Sequence, residues 1–161
     1  MTPEVAVRLV MNTVPAIINE EITQSLIRLG EECLTRIRTR SMEESWIDRT
    51  GNLRSSIGYA VYNYGVEVIE SAFMALPGPE GSGQKGADTG REYVKSLASR
   101  FSDTYALVVV AGMEYAEYVE AMKNKDVLAS TEIWARKKID KYLNDAKARA
   151  EARINHLINS L

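Results

Sequence analysis

The chain has 161 residues and a mass of 18.0 kDa, with 45% hydrophobic and 26% charged residues, a globular composition at the length of one domain. A net charge of −2 and a pI of about 5.6 exclude a strongly basic protein built to coat phosphates. One cysteine, Cys33, and one histidine, His156, exclude an internal disulfide, a cysteine-based zinc site and any centre that needs two histidines.

The N-terminal segment is apolar but interrupted by Glu4, Arg8 and Glu20, so it reads neither as a signal peptide nor as a membrane span. The expectation is a soluble intracellular protein whose thiol stays reduced. Residues 3–41 read as helix. Ile18, Ile22, Leu26, Leu29, Cys33 and Ile37 recur at three- and four-residue steps and make one apolar stripe. Pro15 has no amide hydrogen and crowds the preceding turn, so the reading is a short helix over 3–13 and a longer one over 16–40. Cys33, with no base nearby in sequence, is expected to be a small core residue.

Thr50-Gly51-Asn52-Leu53 predicts a turn opening a short helix, with Asp48 or Thr50 as its cap. The period then changes to two, predicting a hairpin of strands 58–64 and 66–73 turned by Asn63-Tyr64-Gly65. Residues 77–90 hold five of the ten glycines and two of the four prolines. They read as a turn-rich loop, flexible over 75–88, in which Pro77, Gly78, Pro79, Glu80, Lys85 and Asp88 are candidate interface residues. It lacks the GxxxxGK[ST] pattern of a phosphate-binding loop. Asp88 or Thr89 is expected to cap a helix to about residue 100, with Tyr93, Val94 and Leu97 inward. TYALVVVA, 104–111, is apolar and β-branched enough to be a central strand. Residues 115–120 fit a short helix or a bent strand, and Lys123-Asn124-Lys125-Asp126 a polar turn. Ser130 or Thr131 is expected to cap a final helix over 131–160, whose stripe runs Ala135, Ile139, Tyr142, Leu143, Ala146, Ala150, Ile154, Leu157, Leu161. Its alanine-rich middle suits close packing on another helix or a projecting arm.

Candidate chemistry is sparse. The carboxylate pairs Glu31-Glu32 and Glu43-Glu44 diverge by about 100° on a helix, without the enclosure that splits carboxyl pKa values. Glu114, Glu117 and Glu120 recur on one face and read as a charged rim. A Ser-His-Asp triad would have to use His156, late in the last helix. Trp46 and Trp134 read as anchors that pack helices onto the sheet. The expectation is no catalytic residues, no metal and no cofactor. Charge is uneven. Residues 1–44 carry five basic and seven acidic groups, net −2. Residues 45–129 carry eight and eleven, net −3, and residues 130–161 carry seven and four, net +3.

Two segments, WIDRTGNLRSSI and VVVAGMEYAEYVEAM, stand in order along the chain. Together they resemble the bacteriophage neck or tail-completion family, the "gp ten-like" minor head–tail proteins of lambdoid siphophages. The matching positions are Thr50, Gly51, Leu53, Arg54, Ser56 and Ile57, then Tyr115, Ala116, Tyr118, Val119 and Glu120. The resemblance implies a single α+β domain over 1–161, a small antiparallel sheet flanked by long N- and C-terminal helices. It implies a structural, non-enzymatic role at the head–tail junction of a virion, made in the bacterial host cytoplasm. The implied partners are further copies in a homo-oligomeric ring and head-closure, tail-terminator or tail-tube proteins. DNA would pass only as cargo, and no membrane is involved. Physically, Gly51 suits a positive-φ turn, Leu53 and Ile57 point to the core, and Arg54 is expected to reach Glu120 as a charge-assisted pair. The competing class is a non-viral protein-binding or regulatory module that uses its terminal helices.

Overall fold

A computed structural model describes residues 1–40, 46–122 and 125–161. The Glu43-Glu44 pair and the Lys123-Asn124 half of the polar turn lie outside the described residues. In chain order the elements are α1 (Pro3–Arg38), α2 (Asn52–Ser55), β1 (Ile57–Asn63), β2 (Val66–Glu70), α3 (Gln84–Ser96), a 3₁₀ turn (Ala98–Phe101), β3 (Tyr105–Ala111), α4 (Ala116–Ala121) and α5 (Ala129–Asn159). This is the α+β architecture anticipated, a three-stranded antiparallel sheet with a long helix from each end of the chain.

The first helix is not divided. α1 starts on the Thr2 side chain, which accepts from the Val5 amide, and runs straight through Pro15. Proline removes one ladder bond and crowds the turn before it, at a cost of about 3 kcal/mol. Here the orphaned carbonyl belongs to Met11, a residue on the solvent side of the helix. Beyond Pro15 the helix is pinned by Ile17, Leu26, Leu29, Cys33, Leu34 and Ile37, all buried. Ile18, the first member of the expected stripe, is exposed instead, because the buried face there turns toward α5 through Ile17 and Glu21.

The hairpin forms as read, with Tyr64 (φ 50°) and Gly65 (φ 83°) between paired Asn63 and Val66, the double positive φ of a tight two-residue turn. β2 ends at Glu70, short of residue 73. Strand order is β2-β1-β3, which corrects the expectation that 104–111 is central. β1 is the central strand, buried over its first six residues. Its sequence hides this because Gly58 and Ala60 are small where α3 and Phe73 press close. β3 is an edge whose apolar side chains are half-covered from both faces. Ile57, Tyr59 and Val61 face the core shared with α1, while Ala60 and Tyr62 face α3.

α3 begins at Gln84 behind Gly83 (φ 76°), four residues before the expected cap. Residues 84–88 are therefore helix, and of the expected inward residues Val94 and Leu97 are buried while Tyr93 is exposed. α5 begins two residues early, at Ala129, and lies antiparallel along α1. Ala146 and Ala150 are buried at the contact, so the alanine-rich stretch serves close helix packing. No helix among the described residues is long and apolar enough to cross a membrane.

Candidate functional site

The two segments that carry the resemblance meet in space. The first forms a knuckle at the head of β1. The Asp48 carboxylate accepts the Arg54 amide at 2.8 Å, and the Thr50 hydroxyl accepts the Asn52 amide at 3.3 Å, so both expected caps serve the free amides of α2. Gly51 has φ 75°, and a side chain there would meet the Leu76 carbonyl oxygen at 1.9 Å. Leu53 and Ile57 are buried in the core as expected. The Ser56 hydroxyl donates to the Leu53 carbonyl, and the Ser56 carbonyl accepts the Gly112 amide at 3.1 Å, tying the knuckle to the end of β3.

The second segment follows directly. The Tyr115 hydroxyl faces the Thr50 side chain; burial and the nearby Asp48 charge raise its pKa. Ala116 and Val119 pack on the core containing Leu53 and Ile57. Glu120 does not pair with Arg54. Its carboxylate accepts the amides of Val127 (2.5 Å), Leu128 (2.9 Å) and Ala129 (2.7 Å), capping α5 from outside the helix. That replaces the expected Ser130 or Thr131 cap, and three converging N–H groups satisfy a carboxylate better than one distant guanidinium. Thr131 is buried and accepts from Arg40. The Arg54 guanidinium donates to the Trp46 carbonyl at 3.2 Å and lies 5.0 Å over the Trp46 ring. Trp46 is a core anchor as expected, whereas Trp134 is half-buried beneath Arg36.

The glycine-rich segment clasps the knuckle. Glu80 donates its amide to the Arg49 carbonyl at 2.8 Å, and Gly78 bridges to Gly81. The Ser55 hydroxyl donates to the Gly51 carbonyl and accepts the Leu76 amide at 2.7 Å, and Asn52 Oδ1 accepts the Gly86 amide. Ser55 and Asn52 escaped the sequence reading; a polar side chain at each end of a four-residue helix was the available signal. Pro77, Pro79, Glu80, Lys85 and Asp88 present exposed side chains, Asp88 beside Arg91.

What remains outward is informative. Tyr118 is 76% exposed and Met122 56%, with Ile47 70% exposed just before the knuckle. Tyr118 thus presents most of its ring to solvent beside an exposed methionine. Among the described residues no group of acids, histidine and cysteine is arranged to hold a metal ion. Glu31 accepts from the Tyr59 hydroxyl at 2.6 Å, and Glu32 faces Tyr142. Burial pushes the Cys33 thiol up to about 11. His156 is exposed on α5. Compared with protein-family models, curated proteins and solved structures, the chain matches none.

Proposed function

We propose that this protein is a non-catalytic structural component of the head–tail junction of a tailed bacteriophage or prophage, where copies form a ring between head and tail. The supporting observation is the joint itself. The two segments that resemble the neck and tail-completion family lie far apart in sequence, yet the Gly112 amide donates to the Ser56 carbonyl and Tyr115 faces Thr50. Around that joint sit exposed Tyr118, Met122 and Ile47, a surface suited to a neighbouring subunit or a head-closure, tail-terminator or tail-tube protein. The uneven charge, net −3 over 45–129 and net +3 over 130–161, suits head-to-tail contacts between unlike patches. Mass spectrometry and reconstruction of purified particles test this: the chain is expected at the head–tail junction in a fixed copy number. Its absence from particles overturns the reading.

One observation favours a second reading, a non-viral protein-binding module. The first turns of α1 leave Val7 and Met11 exposed on one face, an apolar stripe for a partner helix. Gene neighbours separate the two: portal, capsid or tail-tube reading frames beside this one support the first.

A further inference from the structure

Among the described residues β3 has no strand on its outer side. The ladder bonds Tyr64 N–H to the Thr104 carbonyl and Gly112 N–H to the Ser56 carbonyl make the even-numbered residues of β3 the ones bonded to β1. The amides and carbonyls of Tyr105, Leu107 and Val109 therefore point to the open edge. Native edge strands are usually blunted by charge, proline or a bulge; Tyr105–Ala111 contains no charged residue and no proline. Beside the edge lies a trough of about 700 Å³, walled by Leu26 and Leu29 of α1, Leu107 and Val109 of β3, and Ile139 and Leu143 of α5. α5 packs on α1 and overhangs the sheet. Two helices side by side span about 18–20 Å, whereas strands are spaced by about 4.8 Å, so an α1–α5 layer that covers β1 and β3 and leaves β2 bare reaches past the β3 edge.

The other edge of the same sheet is complementary. β2 pairs Val66 with Asn63 and Ile69 with Val61, which puts Val66 and Ile69 on the α1 side of the sheet, where no helix covers them. They are 67% and 39% exposed. We propose that β2 of one copy adds as a fourth strand to the β3 edge of the next, laying Val66 and Ile69 under that copy's α5. β2 and β3 are both antiparallel to β1, so copies related by a step along the sheet join these edges in parallel and keep the α1 face on the same side.

The alternatives fit less well. A two-fold pairing of β3 with β3 brings two α5 helices over the same strip. A β2–β2 pairing sets Glu67 and Glu70 against their own copies. Glu67 and Glu70, opposite Tyr62 and Ala60, lie on the α3 face of the sheet, where Glu70 pairs with Arg91 and Lys95, so the face that Val66 and Ile69 bring under α5 is apolar. The five residues of β2 limit the joint to about 17 Å, and the strand-plus-helix layers are about 20 Å deep, so one joint covers roughly 340 Å² of each copy, under half of the ~800 Å² of a standard interface. A single joint is weak, and a subunit in a closed ring is held by two such joints. The inference rests on the proposed role for the ring and on the fold alone for the joint.

Native mass spectrometry of the purified full chain up to millimolar concentration tests it, with Val66→Lys as the variant, since Val66 is exposed in the monomer. Wild type is expected to form a ladder of odd- and even-numbered oligomers, and V66K to need at least tenfold higher concentration. V66K keeps its β3 edge, so mixed with wild type it should cap and shorten the ladder. Hydrogen exchange supplies a second readout: the amides of Tyr105, Leu107 and Val109 should slow on assembly. A chain that stays monomeric throughout, oligomers indifferent to V66K, or oligomers in which those amides exchange as in the monomer each overturn the joint. If oligomers instead respond to Met11→Lys, the occupant is the N-terminal part of α1 and the β2 assignment is wrong. Absence from particles defeats the viral role and leaves this result standing.

Discussion

Gly86 lies so close to Asn52 that a β-carbon placed on it would sit 1.9 Å from the Asn52 carbonyl oxygen. One turn later, Gly90 stands in the same relation to Ser56, at 2.4 Å. α3 thus rests directly on the backbone of the knuckle, with the Gly86 amide donating to Asn52 Oδ1.

The sign of Gly86→Ala follows from this contact. Helix propensity alone favours alanine by about 1 kcal/mol. The obstacle is backbone, which does not swing aside like a flexible side chain, and overpacking of this kind costs about 1–3 kcal/mol or more. The net expectation is a loss of up to about 2 kcal/mol, read as a lower denaturant midpoint with an unchanged slope. A neutral or stabilising G86A would show that α3 can lift off the knuckle freely.

Glu120→Ala removes the carboxylate that collects three amides at the start of α5. Loss of a cap costs about 0.5–2 kcal/mol, and this one also brings a negative charge to the positive end of a helix dipole. The expected loss is about 2 kcal/mol, and E120Q should recover part of it through its remaining acceptor oxygen. Hydrogen exchange should locate the damage at Val127, Leu128 and Ala129, while the β1–β3 ladder keeps its protection.

These two sites show how far the sequence could be read. Periodicity found the sheet, the hairpin and both long helices, because Tyr59–Asn63 and Ile22–Ile37 repeat the period their surroundings demand. Glycine misled. At Gly86 and Gly90 it means backbone against backbone, a long-range fact with no local signature, and local chemistry read it as loop. The partners of Glu120 lie seven to nine residues on, at a helix start for which Ser130 and Thr131 offer a nearer local cap. Pro15 was overruled by tertiary packing further along the same helix. The placement of β3 at an edge depended on strand order, which apolar content does not encode.

Acid should loosen the α1–α5 pair. Glu21, nearly buried on α1, accepts from Arg149 at 2.8 Å and from Arg153 at 2.9 Å. The Arg149 and then the Arg153 hydrogen bonds hold its carboxyl below the usual value of 4.5, against the opposing effect of burial. A depressed folded pKa means that the stabilisation is complete above about pH 4.5 and is lost as pH falls through the lower folded value. Thermal unfolding of wild type should therefore weaken below pH 4.5, and Glu21→Gln should be less stable at neutral pH and less sensitive to acid. An E21Q curve parallel to wild type from pH 6 to pH 3 would remove this pair from the pH dependence.

Tyr118 offers the cleanest separation of folding from assembly. It sits on α4 between Ala116 and Val119, which pack on the core, yet its own ring is 76% exposed. The helix is held by its inward neighbours and by Glu120, so truncating Tyr118 removes little that the monomer uses. Surface substitutions of this kind usually stay within about 0.5 kcal/mol. Buried at an interface, a tyrosine ring contributes far more, and its truncation commonly costs about 2 kcal/mol or more, near thirtyfold in affinity. Tyr118→Ala is therefore expected to melt with wild type and yet to be incorporated into particles, or to bind its partner protein, at least tenfold less well. Competition between tagged wild type and variant during assembly measures this directly, because both chains see the same partners. Equal incorporation would place the working contact elsewhere, and a large drop in melting temperature would mean that the ring supports α4 after all.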